Sequence, residues 1–322
     1  MKRSLSAAVL TAVLLFSLPF SAGAEHMLIP VGSLIGMQLQ DGTVTVAAFE
    51  EGGPNAARSA GLRIGDEILT VSGHSISSAE DVREALEDAV CPIEVTVRRG
   101  SKTRTLCFSP DTGSQGLKLG IYLRQGISGI GTVTYFDPDS GAFGTLGHGV
   151  HDPRGTLLPM KQGFAYEAML TDVSRGRSGT PGQLRGTPET AEIFGTVLRN
   201  TPCGVFGTTS RGWTGDPVPT ARFDQIRTGS ATIRATVKSG PPQDYSVEIL
   251  RIYPQDHSRY RNFLLKVTDP KLLEATGGIV QGMSGSPILQ NGKLVGAVTH
   301  VLVNDPTRGY GIFIENMLTA AS

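Results

Sequence analysis

The chain has 322 residues, with 29 basic and 29 acidic side chains and a formal net charge of zero. This balance argues against a nucleic-acid-binding surface and against a general attraction to anionic lipid. Glycine is abundant at 41 residues and aromatic residues make up only 6% of the chain, a composition typical of short strands joined by tight turns.

The N-terminus has the pattern of an export signal. Lys2 and Arg3 precede an apolar run over residues 7–20, and small residues at 21–24 offer a cleavage site. We predict a signal peptide over residues 1–24, with an uncleaved signal anchor as the alternative. The remainder is then expected to be extracytoplasmic, with membrane contact only through an uncleaved N-terminal segment.

Residues 28–109 are predicted to form one compact module. A strand, a short helix ended by Gly61 and a turn at Gly65 are followed by a helix with Val82, Ala85 and Leu86 on one face. The motif A-G-L-x-x-G-D-x-I-L begins at residue 60, and with this order of elements it resembles a PDZ domain of the bacterial protease type.

That resemblance implies an α+β fold, a partly open barrel that binds an extended peptide or a C-terminus by strand addition. The helix near Val82 would form one wall of the groove. The alternative is a rigid spacer that binds nothing. The loop expected to receive the terminal carboxylate consists of Leu34, Ile35, Gly36 and Met37.

Residues 110–116 are predicted to be a linker, and residues 117–322 a second domain. This second part contains short β-branched runs separated by Gly, Pro, Asn and Asp, which predicts an all-β barrel or sandwich. A short helix is expected over residues 315–321.

The cysteines are Cys91, Cys107 and Cys203, an odd number for an exported chain. Cys91 and Cys107 flank an apparent hairpin, where a disulfide is one alternative. We predict instead that all three are buried small hydrophobic residues, because three cysteines make no disulfide framework.

The segment G-x-S-G-x-P at residues 282–287 is typical of a turn that presents a nucleophilic serine, Ser284. The backbone N–H groups of Gly282 and Ser284 would form the oxyanion hole. The same pattern recurs around Ser178, so at least one copy is expected to be only a turn.

A serine nucleophile needs a base, and His148 is the candidate among the six histidines. It follows a strand-like run and lies 136 residues before Ser284, so base and nucleophile would come from different halves of the β domain, whereas Ser178 is only 30 residues away. His148 and His151 could also ligate a metal, but no H-E-x-x-H motif or third ligand accompanies them. We predict no metal and no cofactor.

Several stretches make the second half similar to the peptidase family of stage IV sporulation protein B: residues 129–132, 142–148, 200–207, 282–287 and 309–314. The resemblance implies a chymotrypsin-like double β-barrel preceded by a PDZ domain, with His148 and Ser284 as catalytic pair. It also suggests Asp269 as the acid that orients the histidine. Competing acids are Asp152, Asp172, Asp244 and Asp256.

The family resemblance implies an exported serine endopeptidase of regulatory type, located between the membranes around a developing spore. Members cleave a membrane-tethered regulator of an intramembrane protease, and they cleave themselves. Trypsin-like enzymes carry an aspartate six residues before the serine, where this chain has Gly278, so selectivity for Lys or Arg is not supported. Two alternatives remain, a non-catalytic PDZ adaptor and a general envelope quality-control protease.

Overall fold

The computed structural model describes residues 26–113, 116–190, 192–254, 256 and 260–322. The predicted signal segment, residues 1–24, lies outside the described residues. Within the described part, no helix is long and apolar enough to cross a membrane.

From residue 26 up to the long strand β9, the described residues form nine strands and two short helices. In order they are β1 (Met27–Pro30), β2 (Leu34–Phe49), α1 (Ala56–Ser59), β3 (Glu67–Val71), β4 (His74–Ser75), α2 (Ala79–Glu87), β5 (Ile93–Arg99), β6 (Lys102–Phe108), β7 (Asp111–Gly113), β8 (Gly116–Lys118) and β9 (Ile121–Phe136).

The remainder alternates strands with turns and ends in a helix. Its elements are β10 (Ala142–Thr145), β11 (Gln162–Ser174), β12 (Gln183–Pro188), β13 (Gly195–Thr201), β14 (Gly204–Thr208), β15 (Val218–Pro219), a 3₁₀ turn (Phe223–Gln225), β16 (Gly229–Ala235), β17 (Gln243–Ile252), β18 (Phe263–Val267), α3 (Pro270–Thr276), β19 (Pro287–Gln290), β20 (Lys293–Leu302), β21 (Asp305–Phe313) and α4 (Ile314–Ala321).

Six strands form a first closed barrel in the order β9-β10-β14-β13-β11-β2, because β2 also pairs with β9 and completes the ring. Alternating side chains of these strands point inward and build one apolar core. Six further strands close a second barrel in the order β16-β17-β18-β21-β20-β19 around its own core. The predicted mainly β fold with a chymotrypsin-like double barrel is confirmed.

A smaller unit is inserted in the chain between β2 and β9, two neighbouring strands of the first barrel. β2 and β9 each have 16 residues, and their pairing runs from Leu34 opposite Thr132 to Phe49 opposite Ile121. The ends nearer Phe49 and Ile121 pack, with α1, α2, β3 and β5, into a separate apolar core. The inserted unit therefore grows out of two barrel strands.

This arrangement corrects the predicted domain boundaries. Residues 34–39 pair within the first barrel and do not belong to the inserted unit. Conversely, Leu119, Ile121 and Leu123 pack on the core of the inserted unit, although the sequence placed them in the second domain. The predicted linker also contains β7, which pairs with β8. Each core is completed by residues that lie far apart in the sequence. A domain boundary at a single chain position therefore cannot separate the inserted unit from the first barrel.

The structure also contradicts the predicted carboxylate-binding loop, residues 34–37. Ile35, Gly36 and Met37 lie inside β2 and are flanked by paired strands on both sides, β9 on one and β11 on the other. Leu34 pairs with Thr132 of β9. A strand with neighbours on both edges cannot add a further strand through the same amides.

Other local predictions have mixed outcomes. Helix α2 buries Val82, Ala85 and Leu86 as expected, and α4 matches the predicted terminal helix. All three cysteines are free, but only Cys203 is buried, whereas Cys91 and Cys107 are exposed. The prediction of three buried cysteines is therefore wrong for two of them.

Candidate active site

The turn that carries Ser284 connects α3 to β19 at the junction of the two barrels. Gly282 and Gly285 have φ values of +94° and +98°, a backbone conformation that favours glycine. A β carbon on Gly285 would overlap the carbonyl oxygen of Thr132. The two glycines of the motif are thus required by the turn itself and by the close approach of the first barrel.

The backbone amides of this turn fall into two groups. Those of Met283, Gly285 and Ser286 donate hydrogen bonds to backbone carbonyls of 2.8–3.1 Å. The amides of Gly282 and Ser284, by contrast, donate to no acceptor within the described part of the chain. These two N–H groups, one of the serine itself and one two residues before it, form a suitable site for a developing oxyanion.

Two threonines of β9 hold the turn in place. The Thr132 hydroxyl donates to the carbonyl of Gly282 at 2.7 Å and its amide donates to that of Ser284 at 3.0 Å. The Thr134 hydroxyl donates to the carbonyl of Gly285 at 2.7 Å. These three bonds fix peptide units of the turn relative to the first barrel.

Thr132 also contacts the segment that leads to His148. Its carbonyl accepts hydrogen bonds from the Thr145 hydroxyl at 2.6 Å and from the amide of Leu146 at 3.3 Å. The same buried residue therefore fixes the serine turn and the histidine loop relative to each other. Sequence analysis matched this strand to the family but did not assign Thr132 a role, because a threonine in a strand carries no special signal.

His148 follows β10 on a sharply turned backbone. Leu146 and Gly147 have φ values of +67° and +66°, and a β carbon on Gly147 would press on Thr299 and Ile312 of the second barrel. The ring nitrogen Nδ1 of His148 lies 3.0 Å from the carbonyl oxygen of Gly149. A carbonyl only accepts, so this bond requires a proton on Nδ1 and leaves the lone pair on Nε2.

Burial lowers the pKa of His148 below its ordinary value, and the nearby His151 lowers it further. The hydrogen bond to Gly149 opposes this shift without cancelling it. His148 is consequently a neutral imidazole near pH 7, the state required of a general base.

The ring that faces His148 belongs to another histidine. His300 of β20 lies with its ring centroid 5.0 Å from that of His148, at an interplanar angle of 40°. Desolvation lowers the pKa of His300 to about 4, and the charges of His148, Arg261 and His151 contribute. Sequence analysis assigned His300 no function.

The structure does not bring Asp269 to His148. Its carboxylate caps the N-terminus of α3, accepting hydrogen bonds from the amides of Lys271 at 2.9 Å and Leu272 at 3.1 Å. It also accepts from the amide of Ser246 at 3.3 Å. This geometry contradicts the predicted role, since the acid serves the helix and not the imidazole.

The competing residues are engaged elsewhere too. Asp152, Asp172 and Asp244 form ion pairs with Arg154, Arg185 and Arg234 respectively. Ser178, in the second copy of the motif, donates to the carbonyl of Asn304 at 2.9 Å on an exposed surface. Its turn thus makes a structural contact away from His148.

Ser284 and His148 line one pocket of about 330 Å³ between the barrels. Its other walls are mostly apolar and come from β2, β9, the residues around His148 and the start of the serine turn: Met37, Leu39, Ile127, Gly129, Ile130, Leu146, Gly149, Val150, His151, Gln281 and Gly282. Over the described ranges, no group of three or more His, Cys, Asp or Glu residues is arranged to hold a metal ion.

Two closed barrels with a serine and a histidine facing a pocket at their junction define a serine peptidase of the chymotrypsin-like class. The model of the SpoIVB peptidase S55 family matches residues 115–318, more than half of the chain. The chain belongs to this family. A peptidase of this kind acts on a protein substrate.

Solved structures resemble the chain only distantly. The active form of the Rv3671c protease from M. tuberculosis is 15% identical, with 61% of this chain and 75% of that chain covered and a TM-score of 0.38. The HtrA-type protease AlgW with tripeptide is 16% identical, with 60% and 54% covered and a TM-score of 0.36. A search of curated proteins found no match.

Proposed function

We propose that the protein is an exported serine endopeptidase of regulatory type, with Ser284 as nucleophile and His148 as general base. The observation that carries this proposal is the pocket that Ser284, His148 and Gly282 share. The backbone amides of Ser284 and Gly282 donate to no acceptor within the described residues and are therefore free to receive an oxyanion. The neutral state of His148 supports its role as base.

The reaction begins when the Ser284 hydroxyl rotates away from the carbonyl of Thr299, to which it donates at 2.6 Å. Nε2 of His148 accepts the hydroxyl proton while the oxygen attacks the scissile carbonyl carbon. The amides of Gly282 and Ser284 stabilise the negative charge that forms on the carbonyl oxygen.

His148 then passes its proton to the leaving amine, and an acyl-enzyme on Ser284 remains. A water molecule gives up a proton to the same nitrogen and attacks the ester, and His148 returns that proton to the Ser284 oxygen as the acyl product leaves. The neutral ring of His300 faces His148 through both steps, and we assign it the part of a positioning residue that keeps the imidazole in place.

The finer biological role rests on the family. We propose that the substrate is a membrane-tethered regulator of an intramembrane protease, that the chain also cleaves itself, and that it acts in the space between forespore and mother cell. The test is deletion of the gene in a spore-forming host. Normal sporulation of the deletion strain would contradict this role.

We also propose that the inserted unit is a PDZ domain that binds an extended peptide. Since residues 34–37 are enclosed in the barrel, the groove is expected elsewhere, along α2. A groove of about 760 Å³ runs there between α2 and β8. Its lining includes Arg83, Leu86, Leu117 and Lys118.

The catalytic assignment is tested with a fluorophosphonate probe, which reacts with activated serines. Full-length protein and its Ser284→Ala variant are incubated with the probe and compared on a gel. Labelling of the native chain and its loss in Ser284→Ala are expected.

Ser178→Ala is the matched control, because it removes the serine of the second motif copy and should leave labelling intact. Equal labelling of the native and Ser284→Ala chains, or no labelling of either, would contradict the assignment and favour a non-catalytic scaffold.

A further inference from the structure

The pocket beside Ser284 has a chemical character of its own. Six of its walls are apolar side chains, namely Met37, Leu39, Ile127, Ile130, Leu146 and Val150. Its ionisable lining residues are His148 and His151, and no Asp, Glu, Lys or Arg is among the lining residues. A charged substrate side chain would lose its hydration here without gaining a partner, whereas an apolar one would leave water favourably.

The position of the pocket shows which side of the cleaved bond it serves. The leaving amine takes its proton from His148, so the leaving part of the substrate passes on the side of that residue. The pocket is walled by the loop after His148, Gly149 to His151, and by Gln281 next to Gly282. No residue of β20, whose Thr299 carbonyl accepts the hydrogen bond of the Ser284 hydroxyl, lines it.

We propose that this pocket binds an apolar side chain of the substrate residue that directly follows the cleaved bond. The proposal rests on the proposed catalytic roles of Ser284 and His148. It gives Met37, which belongs to the segment expected to be a peptide-binding loop, and Leu39 of the same strand a role in selecting the substrate residue at the reaction centre.

Gly129 provides a way to alter the pocket. It pairs with Met37 across β2 and β9, and it lines the pocket. A β carbon there would meet no atom within 4 Å, and the residue has no positive φ, so a larger side chain can enter the pocket without backbone strain. Gly53 of the inserted unit has the same open surroundings and ordinary backbone, and it lies outside the pocket.

The first test measures selectivity directly. Full-length protein is incubated with a proteome-derived peptide library, and the new ends are sequenced by mass spectrometry. We expect Leu, Ile, Met, Val or Phe after the cut at least about tenfold more often than Asp, Glu or Lys, the range expected of an apolar pocket. No enrichment at this position, an enrichment of charged residues, or an enrichment confined to the residue before the cut would overturn the proposal.

The second test fills the pocket. Among the peptides that are still cleaved, Gly129→Leu should move the preference after the cut from large apolar residues to Ala and Gly. Gly53→Leu should retain the native preference. An unchanged preference in Gly129→Leu would overturn the proposal. Gly129→Ala is a milder variant, and the proposal requires that it shift the residue preference after the cut in the same direction by a smaller amount.

The two proposals fail in different ways. Loss of probe labelling in the native chain would contradict the catalytic assignment itself. Normal labelling of Ser284 together with no cleavage of the peptide library, or with cleavage that ignores the residue after the cut, would leave that assignment intact and overturn the pocket.

Discussion

The hydroxyl of Ser284 donates a 2.6 Å hydrogen bond to the backbone carbonyl of Thr299, the residue directly before His300. Two neighbouring residues of β20 therefore contact the catalytic pair: the backbone of Thr299 contacts Ser284, and the side chain of His300 contacts His148. In this arrangement the hydroxyl is not bonded to His148, and the catalytic contact forms when the side chain rotates. Such looser contacts are common in peptidases without substrate.

The first prediction concerns His300. His300→Ala should lower the rate of probe labelling roughly 100-fold, a loss within the range expected when a proton-transfer group is no longer held in position. His300→Phe keeps a ring of similar position but no ring nitrogen, so it separates packing from hydrogen bonding. The measurement is the second-order labelling rate, together with its pH profile.

Retention of the native rate and pH profile in His300→Ala would contradict the positioning role. If His300→Phe restores the rate, packing of the ring is sufficient; if it does not, a ring nitrogen is required.

The second prediction concerns Asp269, whose carboxylate caps α3. Asp269→Ala should reduce the free energy of unfolding by about 1 kcal/mol, the usual loss for such a cap, because two amides of the helix lose their acceptor. Asp269→Asn can still cap the helix and should recover most of the stability. Urea unfolding measures the first effect, and the labelling rate of folded protein should be unchanged in both variants.

A large fall in the labelling rate of Asp269→Asn, with unfolding close to that of the native chain, would contradict this prediction. It would return Asp269 to the site as the acid that orients His148.

The third prediction concerns pH. Because burial lowers the pKa of His148, its imidazole stays neutral below the usual midpoint near 6.5. The labelling rate should therefore fall only as the pH drops through a midpoint below 6.5. A midpoint at or above 6.5 would contradict the lowered pKa.

The same shifts predict a dependence of stability on pH. His148 and His300 bind protons more readily in the unfolded chain, so the folded protein should lose stability as the pH falls from about 6.5 towards the pKa of His300, about 4. His300→Gln should reduce this dependence, measured by urea unfolding between the two pH values. His74→Gln, at an exposed turn of the inserted unit, is the control and should leave it unchanged.

The fourth prediction concerns Thr132. Thr132→Val keeps the shape of the side chain but removes the hydrogen bond to the carbonyl of Gly282. Leaving that carbonyl unpaired should lower the free energy of unfolding by roughly 1–3 kcal/mol. The labelling rate should fall as well, since the turn that carries Ser284 is less firmly fixed to β9.

Thr96→Val is the matched control for Thr132→Val, because the Thr96 hydroxyl contacts only Thr105 on an exposed face of the inserted unit. It should change stability by less than about 0.5 kcal/mol. Equal effects of the two substitutions would contradict the role of Thr132 as a clamp.

Much of the site was readable from local sequence. The Ser284 turn and the His148 loop depend on glycines at neighbouring positions. Such a requirement produces a short sequence pattern that can be recognised without knowledge of the fold. The helix cap made by Asp269 also has a local signature, because an Asp followed by Pro is a typical helix start. Sequence analysis did not use this signature and took Asp269 for the catalytic acid that the family resemblance suggests.

Other features had no local signature. Residues 34–37 have the composition of a strand or of a loop beside one, and only their partners in β9 and β11 decide between the two. His300 and Thr132 are single side chains on regular strands. Their contacts with His148 and the Ser284 turn come from residues more than a hundred positions away, and periodicity cannot show such contacts.

The sequence by itself therefore determined the class of protein, the family, the nucleophile turn and the histidine loop, because short-range backbone requirements specify these. Only the tertiary structure decided which strands close the first barrel, where the inserted unit begins and ends, and which side chain faces His148. These depend on pairing between strands from distant parts of the chain, which is settled when apolar faces are buried together and not by any segment alone.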